Sequence, residues 1–296
     1  MCGIVGYTGP RQALPLVLEG LRRLEYRGYD SAGVVVLDRD GAAPQLNLAK
    51  KAGRIGNLEA FIDTGAVALA GTTGMGHTRW ATHGGPTDRN AHPHTDMHRR
   101  VAVIHNGIIE NFVPLRAELE AAGIEFSSDT DTEVVAHLLS RVMADGPTAG
   151  DLPASMAAVC RGLEGAFTLV AMHLDAPETL VAARRNSPLV VGIGEDEMFV
   201  ASDVAAFIAH TRNAVELGQD QLVVINPDGY EVTSFTGGEP DFREFHVDWD
   251  LSAAEKGGFE FFMDKEIEEQ PAAVAQTLLG HFDGSGIVLD ELRLSE

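Results

Sequence analysis

The chain has 296 residues, 45% of them apolar, a length that fits one large or two modest domains around a sizeable core. It carries 22 cations against 44 carboxylates, and the net charge of −22 argues against nucleic acid or an anionic membrane surface as a partner. No apolar run approaches the roughly 18 residues of a membrane span, no basic, apolar signal segment opens the chain, and the two cysteines, Cys2 and Cys160, predict a cytoplasmic protein without a disulfide framework.

In chain order, "GIVGY" reads as a strand beginning directly behind the thiol of Cys2. Leu14, Val17, Leu18, Leu21 and Leu24 recur at three- and four-residue spacings, which predicts an amphipathic helix ended by Gly28. "SAGVVVLD" is a strand, "GHTRWATHGGP" a loop rich in donors, and "VAVIHNG" a strand followed by a helix over 108–122. Thr130 with Glu133 three residues on forms a capping box that opens another helix, and a third helix covers 151–162. Short β segments follow, closing with a hairpin around Asn-Pro-Asp-Gly at 226–229. After residue 237 the pattern loosens, then ends in a helix-like stretch from "FFMDKEIEEQP" onward. Strands apolar on both faces need cover on both sides, which predicts two packed sheets with outer helices.

Four stretches can carry chemistry. Arg79, Trp80, Thr82 and His83 lie between glycines; Asn106 and Gly107 end a strand; Asp131 sits at a helix start; Arg27 lies in a helix-to-strand turn. Each also has a plain structural reading, as a solvated charge, a simple turn or a partner of the helix dipole. His92, His94 and His98 have ligand-like spacing, but Pro93 stiffens the segment and no cysteine is near, so no metal site is expected. Cys160 reads as a buried small hydrophobe. Cys2 is different. With Met1 trimmed it would carry both a thiol and the α-amine, a nucleophile and a base of about neutral pKa on one residue.

"CGIVGY", "GLRRLEYRGYDSAG", "GHTRWATHG", "NAHPH", "HNGIIEN", "TDTEV" and "KGGFEFFMDKEIEEQP" together resemble the glutaminase half of the glutamine–fructose-6-phosphate aminotransferase family. The resemblance implies an α+β fold, a four-layer αββα sandwich of two mainly antiparallel sheets of the N-terminal-nucleophile hydrolase type. It implies a glutamine amidotransferase domain over 1–237 and, over 238–296, a linker toward a sugar-phosphate isomerase half that takes fructose 6-phosphate.

By the same resemblance Cys2 attacks the side-chain amide of L-glutamine, and the oxyanion is met by the Asn106 amide and the Gly107 N–H. Arg79 holds the substrate carboxylate, Thr82 and His83 add hydrogen bonds, and Asp131 holds the ammonium. Arg27 supports the Cys2 terminus and Trp80 gates ammonia. No cofactor is expected, and the full-length protein is expected to be a homo-oligomer. Open alternatives are an N-terminal-cysteine acylase on another amide, the glutaminase domain of a related amidotransferase, a papain-like Cys–His enzyme, and a non-catalytic amino-acid sensor. "HGGPTDRN" and "MHRRV" depart slightly from the family's pattern.

Overall fold

The computed structural model describes residues 2–39, 43–248, 259, 262–278, 282–283 and 286–287. The chain divides into two compact units, Met1–Asp248 and Trp249–Glu296. In the first, β1 (Gly3–Thr8), α1 (Ala13–Arg23), β2 (Ser31–Asp38), β3 (Gln45–Ala52), α2 (Ile55–Asp63) and β4 (Thr73–Arg79) come first. They are followed by β5 (His94–Thr95), β6 (Val101–Ile109), α3 (Phe112–Ala121), α4 (Thr132–Asp145) and α5 (Leu152–Gly162). The strands β7 (Gly165–His173), β8 (Leu180–Arg185), β9 (Val190–Ile193) and β10 (Met198–Ala201) continue the chain. Last are β11 (Asn213–Leu217), β12 (Gln221–Asn226), β13 (Gly229–Ser234) and β14 (Phe242–His246).

Two antiparallel sheets result, one of eight strands in the order β14-β11-β9-β10-β1-β4-β2-β3 and one of six in the order β13-β12-β8-β7-β6-β5. Alternation along each strand decides which residues meet. Ile4, Val35 and Met75 of the first sheet pack against Ala102, Ile104 and Val170 of the second, making the apolar layer between the sheets. The other parity of the second sheet, Val101, Val103 and Leu169, packs under α4 and α5 through Val135, Leu139, Met156 and Cys160. Helices α1 and α2 contact the eight-stranded sheet. The layers therefore run helix, sheet, sheet, helix. Cys160 is fully buried, and burial pushes its thiol up to about 12.

Three local readings need correction. His77, Thr78 and Arg79 belong to the end of β4 rather than to a loop, because all three pair with β1 or β2. The helix expected over 108–122 is shorter, since Ile108 and Ile109 remain paired with β7 and α3 begins at Phe112. The capping box is only half made: Thr130 Oγ1 accepts from Glu133 N–H at 3.4 Å, but the Glu133 carboxylate turns to the N–H groups of Ser127 and Ser128, each at 2.7 Å. The predicted hairpin forms with Asn226 opposite Gly229, and Asn226 Oδ1 accepts from Asp228 N–H at 2.9 Å.

Strand β14, past residue 237, pairs with β11 at the edge of the larger sheet. In the second unit α6 (Phe262–Leu278) contains Pro271, and Phe282–Asp283 pairs with Gly286–Ile287. Residues 249–258 lie outside the described residues, as does Met1 and with it the expectation that Met1 is removed.

Candidate active site

Strand parity gathers the candidate residues at one mouth of the layer between the sheets. Cys2 is two residues before Ile4, His77 and Arg79 follow Met75 at twos, and Asn106 follows Ile104, so all of them point to that layer. Their apolar predecessors fill the core, and the polar ends line a cleft of about 570 Å³. Cys2, Arg27, Arg79, Trp80, Thr82, Asn106, Gly107 and Asp131 all border it.

The backbone behind Cys2 is held on both sides. Gly3 N–H donates to Thr78 Oγ1 and Ile4 N–H to Ser202 Oγ, each at 3.1 Å. A side chain at position 3 would place its Cβ 2.6 Å from that Thr78 oxygen, so glycine is required by the close approach. Cys2 Sγ accepts from Trp80 N–H at 3.1 Å. Burial raises the thiol above its ordinary value, with the Trp80 N–H and Arg79 acting the other way. Burial thus works against the thiolate, the form in which a cysteine is nucleophilic.

Asn106 is fixed at both ends of its amide. Its Oδ1 is 2.8 Å from His77 Nε2, and its Nδ2 donates to the Cys2 carbonyl at 3.1 Å. Gly107 has φ +126°, and a Cβ there would lie 2.0 Å from the Ala166 carbonyl oxygen. Only glycine serves at this position, and it leaves the backbone open to the cleft.

Arg79 is buried, and its guanidinium donates to the carbonyls of His83, of Gly84 at 3.1 Å and of Gly85 at 3.4 Å. It therefore folds the following loop onto itself while bordering the cleft. Asp30 clasps the same loop, its Oδ2 accepting from Ala81 N–H at 2.6 Å. The His83 ring is not among the residues that border the cleft; it meets Phe112 edge-on at 4.7 Å. Trp80 is 56% exposed and lies over Gly28, whose Cβ would stand 2.7 Å from the indole.

On the far wall, Asp131 Oδ2 accepts from Ile109 N–H at 2.9 Å, and its Oδ1 carries no hydrogen bond among the described residues. Arg27 is paired with Asp203 at 2.6 Å and reaches Ser202, the residue that anchors Ile4.

Sequence reasoning missed the histidine column behind this site. His77 and His92 stack at 4.3 Å, His92 meets His94 at 4.9 Å, and Thr132 Oγ1 bonds both His92 Nε2 and His105 Nδ1. All four rings are buried, and burial holds each below its ordinary pKa, His77 down to about 3. Among the described residues no group of three His, Cys, Asp or Glu side chains is placed to hold a metal ion. Asn186, Ser187 and Pro188, in the β8–β9 turn, also border the cleft and carry no motif that could have announced them.

A family profile described as a glutamine amidotransferase domain matches residues 77–209. The chain is 63% identical to glutamine–fructose-6-phosphate aminotransferase of Mycolicibacterium smegmatis, over 100% of its own length and 48% of the relative's. The protein of that name from Streptomyces coelicolor is also 63% identical, over 99% and 47%. This chain belongs to the glutamine amidotransferases. It spans about half the length of these relatives.

A solved glutamine phosphoribosylpyrophosphate amidotransferase from B. subtilis, complexed with ADP and GMP, superposes on this amidotransferase with a TM-score of 0.65. The two are 27% identical over 79% of this chain and 49% of that one. The four-layer sandwich is thus the N-terminal-nucleophile amidotransferase fold. Among the described residues no helix is long and apolar enough to cross a membrane.

Proposed function

We propose that the cleft hydrolyses L-glutamine to glutamate and ammonia through a thioester on Cys2. Once Met1 is removed, the α-amine of Cys2, with a reference pKa of about 7.7–8.0, takes the thiol proton and returns it to the departing ammonia. Attack places negative charge beside the Asn106 amide and the Gly107 N–H, and one such donor is typically worth ~2.7–4 kcal/mol in the barrier. Asn106 Nδ2 now spends its hydrogen bond on the Cys2 carbonyl, so a small shift of that amide brings it onto the oxyanion.

Arg79 and Asp131 border the cleft with opposite charges, matching a zwitterionic amino acid. That pairing carries the reading, because an acylase acting on larger amides has no use for it. A papain-like pairing is disfavoured: no histidine among the described residues is hydrogen-bonded to Cys2 Sγ, and His105, which borders the cleft, is bonded to Thr132 and lowered in pKa by burial.

In the longer protein, ammonia passes to an isomerase half that converts fructose 6-phosphate to glucosamine 6-phosphate. The whole is a cytoplasmic homo-oligomer without a cofactor, and residues 238–296 link the halves. The relatives' name and the 63% identity support the fructose 6-phosphate reading; the location, assembly and linker are part of the proposal. The test is glutamate release by protein whose mature N-terminus has been confirmed by mass spectrometry. Activity should disappear with Cys2→Ala and on acetylation of the amine. Survival after acetylation would point to a Cys–His enzyme, and equal negligible turnover by parent and mutant to a sensor.

A further inference from the structure

A second cleft, of about 490 Å³, is bordered by β3, α2 and the 88–99 segment; His94 borders it, whereas His92, 4.9 Å away, borders the first. Lys50, Lys51, Arg89 and Arg99 border it against a single carboxylate, Asp88, in a chain whose net charge is −22. Two of the cations are neutralised locally. Lys51 Nζ pairs with Asp88 Oδ2 at 2.7 Å, and Arg89 pairs with Asp129.

The other two make no ion pair among the described residues. Lys50 Nζ donates to the Arg89 carbonyl at 3.1 Å, with the Glu133 and Asp88 carboxylates acting on it only through space. The Arg99 side chain has no hydrogen bond among those residues, although its backbone is held at φ +52°. Asp96 builds that turn, its carboxylate accepting from the N–H groups of His98 at 3.2 Å, Arg100 at 2.7 Å and Val101 at 2.8 Å. The guanidinium is therefore presented from a pre-organised turn.

Part of the lining is apolar. Phe61, Val67 and Pro93 border the same cleft, and Lys51 Nζ stands 4.8 Å over the Phe61 ring. A bare ion would leave these side chains without a contact.

We propose that this second cleft binds a small phosphomonoester, with Lys50 and Arg99 on the phosphate and Phe61, Val67 and Pro93 against its organic body. A planar guanidinium and a point-charge ammonium are complementary donors to one phosphate. Burial pushes the Lys50 ammonium down to about 8, helped by Arg79 and Arg99 and opposed by Glu133 and Asp88. A dianion seated beside it would restore full charge. The site is independent of the glutamine chemistry.

Calorimetry on the 296-residue chain in phosphate-free buffer, with phenyl phosphate, inorganic phosphate and phenol as probes, tests the proposal. Phenyl phosphate should bind tightest and phenol not at all. Arg99→Gly, which tolerates the positive φ in an exposed turn, and Lys50→Met should each weaken phenyl phosphate about tenfold or more. Arg243→Ala, on a surface strand, should change nothing. A parent that takes up no phenyl phosphate, phenol binding as tightly as its phosphate, or a folded Arg99→Gly protein with undiminished affinity would overturn it.

Discussion

The His77 ring nitrogen Nε2 lies 2.8 Å from Asn106 Oδ1, and this one contact decides which way the Asn106 amide faces. With its pKa near 3, His77 is neutral at any working pH, so an Nε2–H donor can hold the oxygen and aim Nδ2 at the Cys2 side. Asn106→Ala should therefore lower kcat for glutamine by about 10²–10³. His77→Phe, which keeps a ring but no donor, should lower kcat by roughly tenfold with KM little changed. Steady-state glutamate release reads both, and a His77→Phe protein with parental kcat would refute the positioning role.

Substrate recognition gives a different kinetic signature. Asp131→Ala should raise KM for glutamine far more than it lowers kcat, by on the order of ten- to a hundredfold for a charge-assisted contact of about 1.5–3 kcal/mol. Arg79→Lys should raise KM as well, because a lysine cannot span the His83, Gly84 and Gly85 carbonyls while facing a carboxylate. An unchanged KM in both variants would return the acylase to the front.

Acid should unfold the domain early. His77, His92, His94 and His105 are all buried with depressed pKa values, so the native state holds them neutral while the unfolded chain protonates them near pH 6.5. Their contribution is fully present above about pH 6.5 and declines as pH falls toward the folded values, by about 1.4 kcal/mol per pH unit for each ring. Urea unfolding at pH 7.5, 6.5 and 5.5 should show the midpoint dropping between the last two. A midpoint that holds steady down to pH 5.5 would contradict the neutral, buried assignment.

The two thiols should separate by accessibility. Cys2 borders the cleft, whereas Cys160 is fully buried with its thiol raised to about 12. A native titration with a chromogenic disulfide should count one thiol, and denatured protein two. Glutamine should slow the first reaction. Two fast thiols in the native state would mean that the α5 side of the sandwich opens.

Much of this was legible beforehand. "SAGVVVLD" is β2 to the residue, and the leucine spacing at 14–24 marks α1, although the α-helix stops at Arg23 and only a 3-10 turn over Glu25–Arg27 reaches the Gly28 expected to end it. His77 and Arg79 read as loop because "GHTRWATHGG" is polar; in the strand His77 is satisfied by Asn106 of the facing sheet and Arg79 by the carbonyls of the loop that follows it. The Glu133 carboxylate departs from its capping box because Ser127 and Ser128 offer four donor groups within hydrogen-bond reach. The second cleft escaped notice altogether. Lys50 and Arg99 lie 49 residues apart, and no local pattern links a β3 lysine to a turn arginine.

Strand β1 is interior to the eight-stranded sheet, with β10 on one side and β4 on the other, and its first residue follows Cys2 directly. Any peptide fused upstream, such as an affinity tag, would thus be anchored at the wall of the glutamine cleft with no slack to swing clear. Such a fusion would act as a tethered plug.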